Sequence, residues 1–282
     1  MMETNPELLY RLNAPSMSPV IFMRTDIEGS PWADVKVRQA LSMAIDQQAI
    51  ADEFYMGNAF VITWPVMPCH GSVYTPLEEL PTNLRELWEH HPDKAKTLLA
   101  EAGYPNGFKC QVNIYAALSD IMSIVKEYFA EIGVDMELVV HEGAAFGSVI
   151  YGRQYTDMIY SYWGNAAPTA AISHAHGGTS QSIYAFSNVV DPLAEEFMDI
   201  YTVTIDPLER AEMARVENLR QMELVWEVPL PAPSGYAFWG PWLKGFHGEV
   251  GLGPTSEMGT TGIYRYMWID RELKYEITGQ RD

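Results

Sequence analysis

Two segments with histidines have a spacing at which their side chains could bind a metal ion. His141 and Glu142 begin the zinc-protease pattern H-E-x-x-H, but Ala145 stands where the second histidine ligand belongs. His174 and His176 lie two residues apart in a predicted loop, and no cysteine or carboxylate lies close enough in sequence to complete a metal shell. We therefore predict no metal site and interpret the histidine pair as polar loop residues.

Nucleotide-binding and nucleophile motifs are also incomplete. The segment GLGPTS ends in Ser256 where a dinucleotide-binding fingerprint requires glycine, and it neither follows a predicted strand nor opens a helix. The segment HGGTS resembles the oxyanion loop of some esterases, but no G-x-S-x-G supplies a nucleophile. The sequence predicts no cofactor and no catalytic residue. An enzyme that uses His141 or His174 is the weakest alternative, because neither histidine has a nucleophile as its partner.

The charge balance limits the classes of partner. The chain of 282 residues has 37 acidic and 18 basic residues and a formal net charge of -19. Such a surface repels phosphate backbones and anionic lipids, so we expect no nucleic-acid partner. Cys69 and Cys110 are too few for a disulfide framework, although one bridge between them stays open. The N-terminus lacks the basic flank and apolar core of a signal peptide, so we expect none in this chain.

Aromatic residues give a stronger indication of a binding site. Trp64, Tyr162 and Trp163 lie in or beside predicted loops rather than on helical stripes. Ligands of α/β proteins gather at the carboxyl ends of parallel strands, and aromatic side chains there commonly wall a ligand cleft. The alternative is that these rings cover the hydrophobic core.

Hydrophobic periodicity predicts the elements that position these aromatics. One helical pattern runs from Asp34, which we expect to cap it and to pair with Arg38, as far as Ile50. Pro92 opens a second helix that ends at Gly103. Two segments alternate apolar and polar residues as half-buried strands do, and a helix from Ser119 to Gly133 separates them. TDMIYSYW is a third candidate strand. These strands are 108–115, 134–140 and 156–163.

Short connections predict that strands 108–115 and 134–140 are parallel neighbours with a right-handed crossover. Cys110 alternates with apolar residues and is expected to point inward. Two further helices follow, 192–203 and 207–226. The segment VPLPAPSGYAFWGPW is too rich in proline for a helix, and IYRYMWID predicts a final strand.

Several of these segments together resemble one protein family. PWADVKVRQALSMAIDQQAI, HPDKAKTLLAEAGYPNGF, EIGVDMEL and DPLERAEMARVENLRQMELVWEVPLPAP occur in that family's order, and YMWID resembles its ending. The family is that of the dipeptide-, oligopeptide- and nickel-binding solute-binding proteins of ABC importers. The resemblance runs from about Ser18 to the end of the chain and covers the C-terminal portion of such proteins.

The resemblance implies an α/β fold: a periplasmic-binding-protein-like lobe with a mixed, largely parallel sheet flanked by helices. It implies residues 1–230 as this lobe and residues 231–282 as a crossover and C-terminal segment that returns to the other lobe. It further implies an extracytoplasmic protein that captures a small-molecule or short-peptide solute between two lobes and delivers it to an ABC permease. Since family members are longer, we expect a fragment or a truncated product.

The resemblance also implies where the solute binds. Peptide-binding members are similar in having a W--D---P segment, whose aspartate pairs with the peptide's amino terminus. Trp163 and Pro168 match it here, but Gly164 or Asn165 occupies the place of the acid. We expect Trp163 as an apolar wall and Asn165 as a polar contact, with Tyr162 and Trp64 as further candidates. Without the acid, a sugar or an opine-like compound is as open as a peptide.

A second function hypothesis is a stand-alone interaction or sensor domain that does not take part in transport. In that alternative the exposed interlobe face is the protein interface, and self-association through it is expected.

Overall fold

The structure, a computed structural model, describes residues 4–13, 15, 17–163, 185–249 and 265–280. The chain divides into a large unit, Met17–Pro233, and a small unit formed by Met1–Ser16 and Ser234–Asp282. The sequence predicts residues 1–230 as one lobe, whereas the structure groups the N-terminal residues with the C-terminal ones. The reason is a strand pairing between the two ends of the chain, described below.

The large unit is built on a five-stranded sheet. In the order in which they pair, its strands are β5 Val134–His141, β4 Phe108–Tyr115, β6 Met158–Trp163, β2 Ser18–Met23 and β7 Glu227–Pro229. Strand β4 pairs parallel with β5 and with β6, whereas β2 pairs antiparallel with β6 and with β7. Four strands therefore run in one direction and only β2 opposes them, which confirms a mixed, largely parallel sheet. In this unit the structure also describes two short strands outside the five-stranded sheet, β3 Ala59–Phe60 and β8 Ala232–Pro233.

Helices flank this sheet, as predicted. The α-helices of the large unit are α1 Val35–Ala44, α2 Gln47–Ala49, α3 Thr82–Arg85, α4 Pro92–Glu101, α5 Ser119–Glu131, α6 Gly143–Tyr151, α7 Pro192–Val203 and α8 Pro207–Leu224. Short 3-10 turns cover Pro31–Ala33, Pro68–Val73, Leu77–Glu79, Glu86–Trp88 and Ala116–Leu118, and Ile50–Phe54 is a π-helix. Among the described residues, no helix is both long enough and apolar enough to cross a membrane.

The helix predicted over residues 34–50 is interrupted. Asp34 caps α1 by accepting from the Lys36 amide, as expected, but the helix ends at Ala44 and Ile45 is extended. Asp46 then caps a new short helix by accepting from the Ala49 amide. The cap at Asp46 therefore starts a new helix, although the apolar residues at helical spacing continue without a break. The predicted pair of Asp34 with Arg38 is not formed, because the Arg38 guanidinium donates to backbone carbonyls instead.

The predicted strand–helix–strand crossover is confirmed, and two glycines allow it to be compact. Gly107 precedes β4 and has a φ of +72°, and a Cβ at this position would collide with the Gly133 carbonyl. Gly133 precedes β5 and has a φ of +85°. Only glycine accepts both this backbone conformation and this approach, so the two glycines let β4 and β5 begin side by side. Ser119 is the first helical residue of α5 rather than its cap, and its hydroxyl donates to the Ala116 carbonyl.

The large sheet is buried on both faces at β2, whereas alternate residues of β4 and β5 are exposed on one face. Ile21 and Phe22 are consecutive on β2 and therefore face opposite sides, and neither is exposed. Phe129 of α5 is fully buried in the same cluster. Cys110 points inward as predicted and is a free thiol, and burial raises its pKa to about 12. The side chain of Cys69 lies outside the described part of the structure.

The part of the small unit that the structure describes contains two short antiparallel ribbons and one helix. Strand β1, Leu9–Asn13, pairs with β9, Gly235–Trp239. Strand β10, Leu243–Lys244, pairs with β11, Trp268–Ile269, and helix α9 covers Arg271–Thr278. The final strand predicted in IYRYMWID is therefore only two residues long in the described part.

Candidate functional site

The carboxyl end of β6 carries two of the predicted site residues, Tyr162 and Trp163. They are consecutive on the strand, so their side chains project from opposite faces of the sheet, and both are half-buried. Strand β6 pairs parallel with β4, and this end of the sheet is where ligands of α/β proteins bind. The two side chains therefore have the position expected of a ligand contact.

An aromatic cluster holds the Trp163 ring in place. Its centroid lies 5.4 Å from that of Phe186, and the two rings meet edge to face. Phe186 is buried and also contacts Phe22, at 5.2 Å, and Tyr151, at 5.9 Å. Edge-to-face pairs at these distances are favourable beyond the area that they bury. The cluster thus presents a fixed and half-exposed indole.

Tyrosine hydroxyls collect on the other face of β6. The hydroxyl of Tyr55, which follows the π-helix, is hydrogen-bonded to that of Tyr162. Tyr160 lies two residues before Tyr162 on β6 and therefore on the same face. Burial raises the pKa of Tyr55 and of Tyr160 well above the ordinary value, so both hydroxyls are neutral at pH 7. Tyr160 is fully buried, and its hydroxyl has no hydrogen-bond partner among the described residues. This face of β6 therefore offers neutral hydroxyl groups.

The neighbouring strands end in Tyr115 and His141, which lie opposite each other in the register of β4 and β5. His141 donates from Nε2 to Asn113 Oδ1 over 2.8 Å. The Tyr115 ring lies 6.2 Å from that of Phe146 on helix α6. His141, which begins the incomplete H-E-x-x-H pattern, is thus hydrogen-bonded to the side-chain amide of Asn113.

Trp64 has the environment of a core residue. It is 3% exposed, and its indole Nε1 donates to Glu227 Oε2 over 2.6 Å. Its ring lines a narrow cleft of about 20 Å³ together with Trp88 and Trp226. The structure does not bring Trp64 to the half-exposed surface at the end of β6 that Trp163 occupies. For Trp64 the alternative prediction, that the ring covers the core, describes what is seen.

Two of the predicted contacts, Gly164 and Asn165, lie outside the described residues, as do Pro168, His174 and His176. Among the residues that are described, no group of three or more histidine, cysteine, aspartate or glutamate side chains could hold a metal ion.

The sequence analysis missed two side chains that shape this region, Tyr55 and Phe186. The period-two spacing of Tyr160 and Tyr162 indicates a shared face of one strand, but nothing in the sequence says that Tyr55 meets them there. Phe186 belongs to no periodic segment, and its role depends entirely on the tertiary packing.

The chain is similar to a known family and to solved structures of that class. A model of the family described as "Bacterial extracellular solute-binding proteins, family 5 Middle" matches residues 2–182. Heme-binding protein A of Haemophilus influenzae is 27% identical over 239 residues, which cover 80% of this chain and 42% of that protein.

Two solved structures share the fold. HbpA2 from Haemophilus parasuis superimposes with a TM-score of 0.76 at 23% sequence identity, and the match covers 95% of this chain and 51% of the HbpA2 chain. The periplasmic binding protein DppA from Helicobacter pylori, in complex with the peptide STSA, superimposes with a TM-score of 0.75 at 18% sequence identity. This match covers 95% of this chain and 50% of the DppA chain. The chain thus spans about half the length of these structures and 42% of heme-binding protein A. Because the family model matches more than half of the chain, this protein belongs to the bacterial extracellular solute-binding proteins of family 5.

Proposed function

We propose that this chain is the solute-binding component of an ABC importer, or the C-terminal part of one, and that it is not an enzyme. The whole protein captures a small polar solute between two lobes and delivers it to a permease outside the cytoplasm. The family match over residues 2–182 is the observation that carries this proposal. Capture of this kind shifts an equilibrium between open and closed states and makes or breaks no covalent bond.

Trp163 is the apolar wall of the proposed site. Its ring is held by Phe186 and stays half-exposed. Because the side chain is already ordered, binding of a solute over the ring costs little side-chain entropy. Tyr162 and Tyr55 lie on the opposite face of β6 from Trp163, and their hydroxyls can donate to or accept from a solute that reaches around the end of this strand. Gly164 and Asn165 follow Trp163 directly in the chain, and we assign Asn165 a polar contact and Gly164 a backbone contact.

The chemistry of these residues favours a polar solute without a strong need for charge neutralisation. Asn165 replaces the acid of the peptide-binding pattern, and an amide can hydrogen-bond an ammonium group but cannot neutralise it. The relatives are named for different ligands, heme and glutathione among them, and one solved neighbour holds the peptide STSA. These three compounds are therefore suitable first probes.

A thermal-shift titration tests the proposal. We expect at least one of heme, glutathione and the peptide STSA to raise the unfolding midpoint of the chain in a saturable way, because ligand binds only the folded state. Trp163→Ala is expected to weaken that binding about tenfold or more, as the loss of an aromatic contact worth about 1.4 kcal/mol or more would.

Tyr104→Ala is the matched control. Tyr104 is also half-buried and also meets another aromatic ring edge-on, Phe108 at 5.0 Å, but it lies at the opposite end of β4. It should leave the affinity unchanged. Equal affinities of Trp163→Ala and the unaltered chain for a probe that binds would contradict the proposal.

A further inference from the structure

Four large apolar side chains are exposed where helix α7 joins helix α8, and we call them the hairpin tip. Ile200 and Val203 lie one turn apart on α7. Ile205 lies in the connection, and Leu208 lies in the first turn of α8. The exposed fractions of these four side chains, in chain order, are 50%, 74%, 92% and 80%. Because all four fall within residues 200–208, they form one apolar surface.

The inner side of the same helical hairpin is packed. The Phe197 and Tyr201 rings lie 5.3 Å apart, and the Arg210 guanidinium lies over the Tyr201 ring, 4.5 Å from its centroid. Tyr201 is buried and packs in a cluster with Val66 and Ala214. The hairpin therefore already has its contact with the core, and the tip residues lie outside that contact. Contiguous apolar surface of this kind marks a site of interaction.

Exposed carboxylates surround the hairpin tip. Asp199, Asp206 and Glu209 are each next to a tip residue in the chain, and Glu196 lies one helical turn before Ile200. None of the four acids makes an ion pair with a lysine or arginine that the structure describes. The electrostatic potential around the apolar surface is therefore negative.

This charge limits what can cover the tip. A second copy of the chain would bring the same four acids and a formal net charge of -19, so the two copies would repel each other. An anionic lipid surface is repelled in the same way. A polypeptide with an apolar stripe between lysine or arginine side chains has the complementary charge.

We propose that the hairpin tip docks a basic amphipathic helix of a partner protein. The apolar stripe of that helix packs against the four tip residues, and its basic side chains face the surrounding carboxylates. A helix is the favoured shape because Ile200 and Val203 form a ridge of i,i+3 spacing, which fits the groove on another helix. The inference rests on exposure and charge, and it does not depend on the solute.

Fluorescence anisotropy with a defined probe tests this docking. The probe is a labelled amphipathic peptide of leucine and lysine of about 18 residues, which is long enough to be helical. The control peptide has the same leucines, with glutamate in place of lysine. We expect the 282-residue chain to bind the lysine peptide saturably and not the glutamate peptide. Hydrogen exchange should slow in residues 200–208 when the lysine peptide is bound.

Paired substitutions connect this binding to the tip. Ile205→Ser with Leu208→Ser should weaken binding of the lysine peptide about tenfold or more, because the complex loses apolar area that the peptide buries. Met56→Ser with Val140→Ser is the control. It removes two apolar side chains that are 82% and 52% exposed elsewhere in the large unit, and it should leave the affinity unchanged.

A third pair tests the charges. Asp199→Asn with Glu209→Gln keeps the apolar surface, and it should weaken binding and reduce its dependence on salt. Equal binding of the two peptides, or no saturable binding of the lysine peptide, would overturn the proposal. So would equal weakening by the tip pair and the control pair. A homodimer of the chain alone that protects residues 200–208 would also overturn it, because the occupant would then be a second copy.

Discussion

Arg38 lies in the interior of the large unit and is 5% exposed. Its guanidinium donates to the carbonyls of Trp32, Ala33, Leu224 and Val225 at 2.6–3.2 Å. Burial lowers its pKa to about 10, so the side chain is still charged at pH 7. One planar cation thus joins the start of α1 to the end of α8, which a neutral side chain of the same length could not do.

Arg38→Lys should destabilise the fold although it keeps the charge. A lysine ammonium cannot reach four carbonyls in the arrangement that the planar guanidinium fits, and unsatisfied buried carbonyls cost about 1–3 kcal/mol each. We expect the free energy of unfolding to fall by about 2–4 kcal/mol, measured by urea denaturation. Arg215→Lys is the control, since Arg215 makes an exposed pair with Glu212 and should change stability by less than about 0.5 kcal/mol. Similar effects of the two substitutions would mean that the carbonyl contacts do not stabilise the protein.

Individual side chains were predictable from the sequence only where their role is local. Asp34 caps α1 as expected, because a cap depends on the next three residues. Arg38 was predicted to pair with Asp34 on the helix surface, which is the ordinary arrangement at that spacing. Its actual partners at Leu224 and Val225 are more than 180 residues away in the chain, and no local pattern reveals them.

At the scale of elements, α4, β4, α5 and β5 form where the sequence predicts them. Their apolar spacing, their glycine ends and their short connections all indicate the same structure, so no tertiary contact has to override a local preference. The interruption after α1 could not be predicted with equal ease, because the apolar stripe continues through Ile45. The parallel pairing of β4 with β6 requires a contact across a long stretch of chain, which periodicity alone does not specify.

The pair of glycines at the start of β4 and β5 gives the element-scale prediction. Gly107→Ala should lower the free energy of unfolding by about 2 kcal/mol or more, since it combines a left-handed backbone with a collision against the Gly133 carbonyl. Gly103→Ala is the matched control, because Gly103 also has a positive φ, of +93°, but a Cβ there would meet no atom within 4 Å. It should cost about 1 kcal/mol. Urea midpoints of the two variants give the comparison, and a milder effect at Gly107 than at Gly103 would contradict the close approach.

At the scale of the whole molecule, the two units differ in what they bury. The large unit contains the five-stranded sheet and every fully buried large side chain of the described residues, such as Trp32, Phe129 and Tyr160. In its described part, the small unit buries no apolar side chain larger than that of Pro15. The family resemblance implied that the lobe ends at residue 230, but no sequence pattern indicated that the N-terminal residues pair with strand β9.

The large unit should therefore fold on its own. A chain restricted to Met17–Pro233 is expected to keep a single cooperative thermal transition with a midpoint within a few degrees of that of the full chain, since it keeps the core. Circular dichroism of both chains during heating measures this. Loss of the cooperative transition in the shorter chain would mean that the small unit contributes to the core stability.

The central claim is that a solute binds at the carboxyl end of β6 and covers Trp163. Fluorine NMR of the fluorotryptophan-labelled chain tests it most directly, with the Trp163 signal assigned from Trp163→Phe and the signal of the buried Trp88 as an internal reference. The account predicts that a probe which binds, among heme, glutathione and the peptide STSA, shifts the Trp163 signal and leaves that of Trp88 in place. Saturable binding that leaves the Trp163 signal unmoved would contradict it.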